Sequence, residues 1–154
     1  MDDMTAMRRC IDLARAAAER GDQPYGSVIV LDGAIVAEGD NSIATDSDPT
    51  AHAELVAIRK ACQSLGRTEL SGATIYASGE PCWMCSTVIR AARISRVVFA
   101  MPASSGTGGA TSAFNILTVD NVAGLPAPPE VVGRFQVDQV GALYAELGWP
   151  PPRS

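Results

Sequence analysis

The stretch ATIYASGEPCWMCSTVIRAARISRVVFA, residues 73–100, holds two apolar runs with a helical pattern between them. Residues 73–77 predict one strand, and residues 96–100, with Val97, Val98 and Phe99, predict another. Residues 82–92 predict the helix that joins them, with Pro81 at a position suited to a helix start. Strands alternating with helices give an α/β layer, one sheet with helices on its faces.

The same alternation extends outward in both directions. Met4, Met7, Ile11, Ala14 and Ala18 recur at helical spacing, and Gly21 stops the run. Residues 27–31 and 34–37 are short apolar runs joined by Asp32-Gly33, a tight-hairpin signal. A polar loop over 39–49 leads into a helix whose apolar face carries Leu55, Ile58, Cys62 and Leu65, ended by Gly66. Beyond the opening stretch, residues 102–129 are rich in Gly, Ser, Pro and Ala, with a short helix expected at 112–119. A loop of that length inside a compact domain is often functional. Residues 133–138 alternate and predict a final strand, with Phe135 and Val137 on one face. Val140, Leu143, Tyr144 and Leu147 predict a last helix, ended by Pro150, Pro151 and Pro152. No internal repeat is present, and residues 1–154 are expected to form a single domain.

Composition narrows the function. The net charge is −5, from 12 Lys and Arg against 17 Asp and Glu. That opposes a nucleic-acid partner, whose binding rests on neutralising phosphates. No apolar run approaches the length of a membrane span, so no membrane partner is expected. The opening Met1-Asp2-Asp3 is acidic and carries no secretory pattern, so a cytoplasmic location is expected. Four cysteines in such a chain point to metal binding rather than disulfides.

The chain has one histidine, in Thr50-Ala51-His52-Ala53-Glu54, and a cysteine pair in Pro81-Cys82-Trp83-Met84-Cys85. His52, Cys82 and Cys85 can hold a tetrahedral Zn²⁺ and leave its fourth position open. Cys82 and Cys85, three apart at a helix start, face the same way, where the helix N-terminus favours thiolates. A closed, structural site needs a fourth ligand. Cys62 lies ten residues beyond His52 on the same expected helix, roughly 15 Å along its axis, and cannot reach the ion. Cys10 is uninformative by spacing, and Asp46 and Asp48 are conceivable ligands. The absence of a second histidine and of a second close cysteine pair favours the open site. Glu54 is the acid beside it, placed for proton transfer.

His52-Ala53-Glu54 with Pro81-Cys82-Trp83-Met84-Cys85 resembles the H-x-E…P-C-x-x-C signature of the zinc-dependent deaminases. Pro24-Tyr25-Gly26-Ser27-Val28-Ile29-Val30, Asn41, Asp48-Pro49-Thr50-Ala51 and Glu80 fit the cytidine-deaminase-like superfamily as well. Residues 57–66 look most like bacterial guanine deaminases, and the likeness covers residues 5 to 100 best.

The resemblance implies a three-layer α/β/α fold, with a mixed sheet of about five strands and helices on both faces. It implies hydrolytic removal of an exocyclic amine from a free nucleobase or related amino-heterocycle, guanine-, cytosine- or triazine-like. A hydroxide on the zinc would attack the ring carbon, Glu54 would shuttle protons, and ammonia would leave. Asn41 would hydrogen-bond the base, the Ala53 N–H would contact a ring carbonyl, and the Glu80 carbonyl would accept from the departing ammonia. Tyr25, Trp83 and Phe114 are candidate pocket walls, and the family implies a homodimer. Bacterial guanine deaminases also carry an acid used in base recognition after the strand that follows their CxxC helix. Here residues 101–119 contain no Asp or Glu. The alternatives are a tRNA adenosine deaminase, which shares the stretch from Asp48 to Glu54, and a non-catalytic zinc-stabilised relative.

Overall fold

The computed structural model describes residues 1–103 and 116–150. Helix α1 (Asp3–Glu19) leads into a hairpin of β1 (Gly26–Leu31) and β2 (Ala34–Asp40). A short helix α2 (Ile43–Asp46) precedes α3 (Ala53–Leu65), β3 (Thr74–Gly79), α4 (Trp83–Ala91) and β4 (Arg96–Met101). The chain finishes with β5 (Glu130–Val132) and α5 (Val137–Leu147).

The five strands form one mixed sheet in the order β2-β1-β3-β4-β5. β1 runs antiparallel to β2 and β3, while β3, β4 and β5 are parallel. The hairpin turns on Asp32 and Gly33, both at positive φ (51° and 79°), as a two-residue turn of this kind requires. Alternate strand residues serve opposite faces. Ile29, Ile75 and Val97 meet Ala57, Ile58 and Ala61 of α3 and Ile89 of α4. Val28, Tyr76 and Val98 meet Met7, Cys10 and Ala14 of α1 and Val140 and Leu143 of α5. Helices therefore cover both faces, and the expected three-layer α/β/α class holds.

Two expectations about elements need correction. The 39–49 segment is not all loop, because β2 runs on to Asp40 and Ile43–Asp46 turns helical. The last strand lies at Glu130–Val132, not 133–138. Arg134 and Gln136 adopt positive φ (60° and 57°), which breaks the extended run that their alternation promised and starts α5 at Val137. Residues 104–115, with Phe114 and most of the expected 112–119 helix, lie outside the described residues; residues 116–118 form a turn.

Candidate active site

His52 and Cys82 are the N-caps of α3 and α4, each in extended backbone. Ser, Thr, Asp or Asn usually occupies that position and accepts its own helix's N–H. Neither side chain caps its helix here. They turn to one another instead, with Cys82 Sγ 3.5 Å from His52 Nδ1. Cys85, one turn into α4, brings its sulfur to the same place, and one donor atom from each residue lies within 4.8 Å of the others. Gly39 of β2 makes the approach of α3 possible: a Cβ there would strike Ala53 O and sit 2.6 Å from Ala57 N. A bare Cα lets the first turn of α3 rest on the sheet.

Glu54, the second residue of α3, is 6% exposed. Burial pushes its carboxyl above the usual range, since a charge is costly there. Cys82 is held down to about 4 by the adjoining Cys85 thiol and by His52. Its thiolate in turn raises His52. Cys85 is pushed up by Cys82 and by burial. One thiolate is thus favoured before any metal arrives, and metal binding would displace the remaining protons.

The donor set of two sulfurs and one imidazole nitrogen fits zinc. Among the described residues no further His, Cys, Asp or Glu joins the group, so a tetrahedral ion held there would keep one position free of protein ligands. Cys62 packs half-buried against the α3 face of the core, as its distance along the helix demands. Asp48 accepts from the Thr50 N–H and hydroxyl, which ties it into the loop before His52. Cys10 is fully buried in the opposite core.

The cluster opens onto a cavity of about 650 Å³. Tyr25, Asn41, Ala53, Glu54 and Glu80 all line it with His52 and Cys82. Trp83 requires correction: it does not line the cavity and is 58% exposed. With Cys82 and Cys85 facing the cluster at i and i+3, the next helix position after Cys82 is rotated about 100° away. The Glu80 carboxylate accepts from the Ala103 N–H at 2.7 Å, holding the residues after β4 beside the site.

The sequence does not single out Gln23, Met101 or Tyr144, which line the cavity together with Trp149. Trp149 Nε1 donates to the Tyr25 hydroxyl at 3.2 Å, and both Trp149 and Tyr144 meet the Tyr25 ring edge to face. Tyr144 carries only a core signal in sequence, because helical periodicity cannot tell a core contact from a cavity wall.

Residues 1–101 match the family described as the cytidine and deoxycytidylate deaminase zinc-binding region. The chain belongs to that family. Guanine deaminase of Bacillus subtilis is 40% identical over 150 residues, 97% of this chain and 94% of the relative. A tRNA-specific adenosine deaminase of Aquifex aeolicus is 42% identical over 104 residues, 68% of each chain. The X-ray structure of the Bacillus subtilis guanine deaminase superposes with a TM-score of 0.67 at 35% identity, covering 100% of this chain and 99% of that one. A structure from work on A-to-I editing by tRNA:A34 deaminases superposes with a TM-score of 0.82 at 32% identity, covering 91% and 99%. This deaminase is a hydrolase with Zn²⁺ as its cofactor. Among its described residues no helix is long and apolar enough to cross a membrane.

Proposed function

We propose that the protein hydrolytically deaminates a free nucleobase or closely related amino-heterocycle, and that guanine is the first substrate to test. The observation that carries this is the three-donor cluster beside buried Glu54 in one cavity, in a chain matched end to end by a guanine deaminase. In this reading His52, Cys82 and Cys85 hold the zinc. The metal would supply Lewis-acid activation of a water molecule near neutral pH. Glu54 takes a proton from the attacking water and returns one to the exocyclic amine, which leaves as ammonia while the ring carbon becomes a carbonyl. A carboxyl raised by burial suits a group that must both accept and donate. Asn41, 1% exposed, is set to hydrogen-bond the ring. The Ala53 N–H, at the first turn of α3, is aimed at a ring carbonyl. The Glu80 carbonyl accepts from the departing ammonia, and Tyr25 with Trp149 walls the ring. The reading takes residues 1–154 as one catalytic domain acting as a cytoplasmic homodimer.

A tRNA adenosine deaminase is the second reading, favoured by the TM-score of 0.82. The net charge of −5 opposes it. The test is ammonia release from guanine, cytosine, isocytosine and aminated triazines, with tRNA in parallel. Release from a free base supports the first reading. Silence on every free base with adenosine-to-inosine conversion in tRNA overturns it.

A further inference from the structure

Asn41 is pinned from every side. Its N–H donates to Tyr25 O at 3.0 Å, and its carbonyl accepts from Arg20 Nη2 at 3.0 Å. Its Oδ1 accepts from the Ile43 N–H at 3.2 Å, so its Nδ2 faces Gln23 Oε1 at 3.5 Å. That last distance is at the long end for a hydrogen bond, so it engages at most one of the two Nδ2 hydrogens, and weakly.

Gln23 stands beside it in the same cavity. Its backbone is held: its carbonyl accepts from the Tyr25 N–H at 2.9 Å. The preceding Asp22 is buried and accepts from Ala44 N, Thr45 N and the Thr45 hydroxyl. Its side chain is held only by the long contact from Asn41 Nδ2 to Oε1. It is exposed, and its Nε2 donates to nothing among the described residues. A carboxamide fixed at its base and uncommitted at its tip, inside a substrate cavity, is built to meet a ligand.

We infer that Gln23 is a specificity-determining residue: with Asn41 it forms a pair of neutral carboxamides that reads one edge of the substrate ring. The inference rests on the reading of Asn41 as a substrate contact. The chemistry defines the edge. A carboxylate accepts only, and selects two ring donors side by side. Residues 101–119 offer no Asp or Glu for that purpose, and the Glu80 carboxylate already accepts from Ala103. Gln23 offers its Nε2 hydrogens and the second lone pair of its Oε1, and Asn41 offers an Nδ2 hydrogen, so donor and acceptor stand together, which matches a lactam edge, a ring N–H next to a ring C=O. Bases with an oxo group beside the ring nitrogen are the fitting class, ahead of fully aminated rings that lack it.

The test is steady-state kinetics of the zinc-loaded full-length protein with Gln23→Leu, Gln23→Glu and Asn41→Ala, on amino-oxo bases and on an aminated triazine. Gln23→Leu raises KM for the oxo bases about 3- to 10-fold, with kcat and zinc content unchanged and the triazine unaffected. Gln23→Glu re-ranks the oxo bases in favour of those with two adjacent donors. A rise in KM for Asn41→Ala while both Gln23 variants leave KM and ranking unchanged overturns this inference alone. No effect of Asn41→Ala, or no turnover of any base, overturns the underlying reading and this inference with it.

Discussion

His52, Cys82 and Cys85 meet because two helices start side by side, whereas Gln23, Tyr25, Tyr144 and Trp149 meet because the two ends of the chain close on each other. The first group needs only β2, β3 and the first turns of α3 and α4. The second needs α5 docked on the α1 side of the sheet, helped by Arg15 donating to Glu146 at 2.7 Å. The cluster is short and buried in part, and the carbonyls of His52 and Cys82 accept the first helical hydrogen bonds from Val56 and Ser86. The wall is aromatic and amide, joined by single hydrogen bonds such as Trp149 to Tyr25. The lesson is a division of labour. In the proposed function the helix starts carry the chemistry, and the wall carries the choice of ring.

Each region can be broken separately. The largest effect belongs to the cluster. Cys85→Ala removes one of three donors, and zinc content measured on the purified protein should fall to a small fraction of the parent value, with turnover lost. Full zinc occupancy in that variant would mean the metal is held elsewhere. Next comes the support beneath the cluster. Gly39→Val puts a side chain against Ala53 O and Ala57 N, backbone atoms that cannot step aside. A loss of about 1–3 kcal/mol by thermal or urea unfolding, with weakened zinc affinity, is expected. Parental stability would show that α3 does not depend on this contact.

That His52, Cys82 and Cys85 come together was legible in the sequence because Cys82 and Cys85 are three apart at one helix start and His52 stands at the start of the preceding helix. The α/β class followed from alternating strand and helix patterns over residues 73–100. Gln23 and Tyr144 were not readable as cavity residues. Their partners lie far away in sequence, and an exposed glutamine or a helical tyrosine has no local signature of a wall. Trp83 misled for the opposite reason, since proximity to Cys82 in sequence is not proximity in space on a helix.

Smaller effects fall on the wall. Trp149→Phe keeps an aromatic ring, though a smaller one, and removes the N–H given to Tyr25, so KM should rise about 2- to 5-fold, with zinc content and kcat unchanged. A fall in kcat with constant KM would move Trp149 into the chemistry. The smallest effect concerns the segment that holds Gln23 and Asn41. The Thr45 hydroxyl and N–H, with Arg20, hold the Asp22 carboxyl below its ordinary value of 3.8. A depressed folded pKa adds stability that is complete above about 3.8 and is lost as pH falls through the lower folded value. Unfolding titrations should therefore lose stability below about pH 4, and Asp22→Asn should flatten that part of the curve. An unchanged slope would show that Asp22 is not linked to folding.

In the proposed function Glu54 carries protons beside an open three-donor zinc site. The direct measurement is Glu54→Gln, with zinc content and ammonia release read on the same preparation. The account predicts about one zinc per chain retained and turnover lower by about 10²- to 10⁴-fold. Retained zinc with turnover within a few-fold of the parent would contradict it.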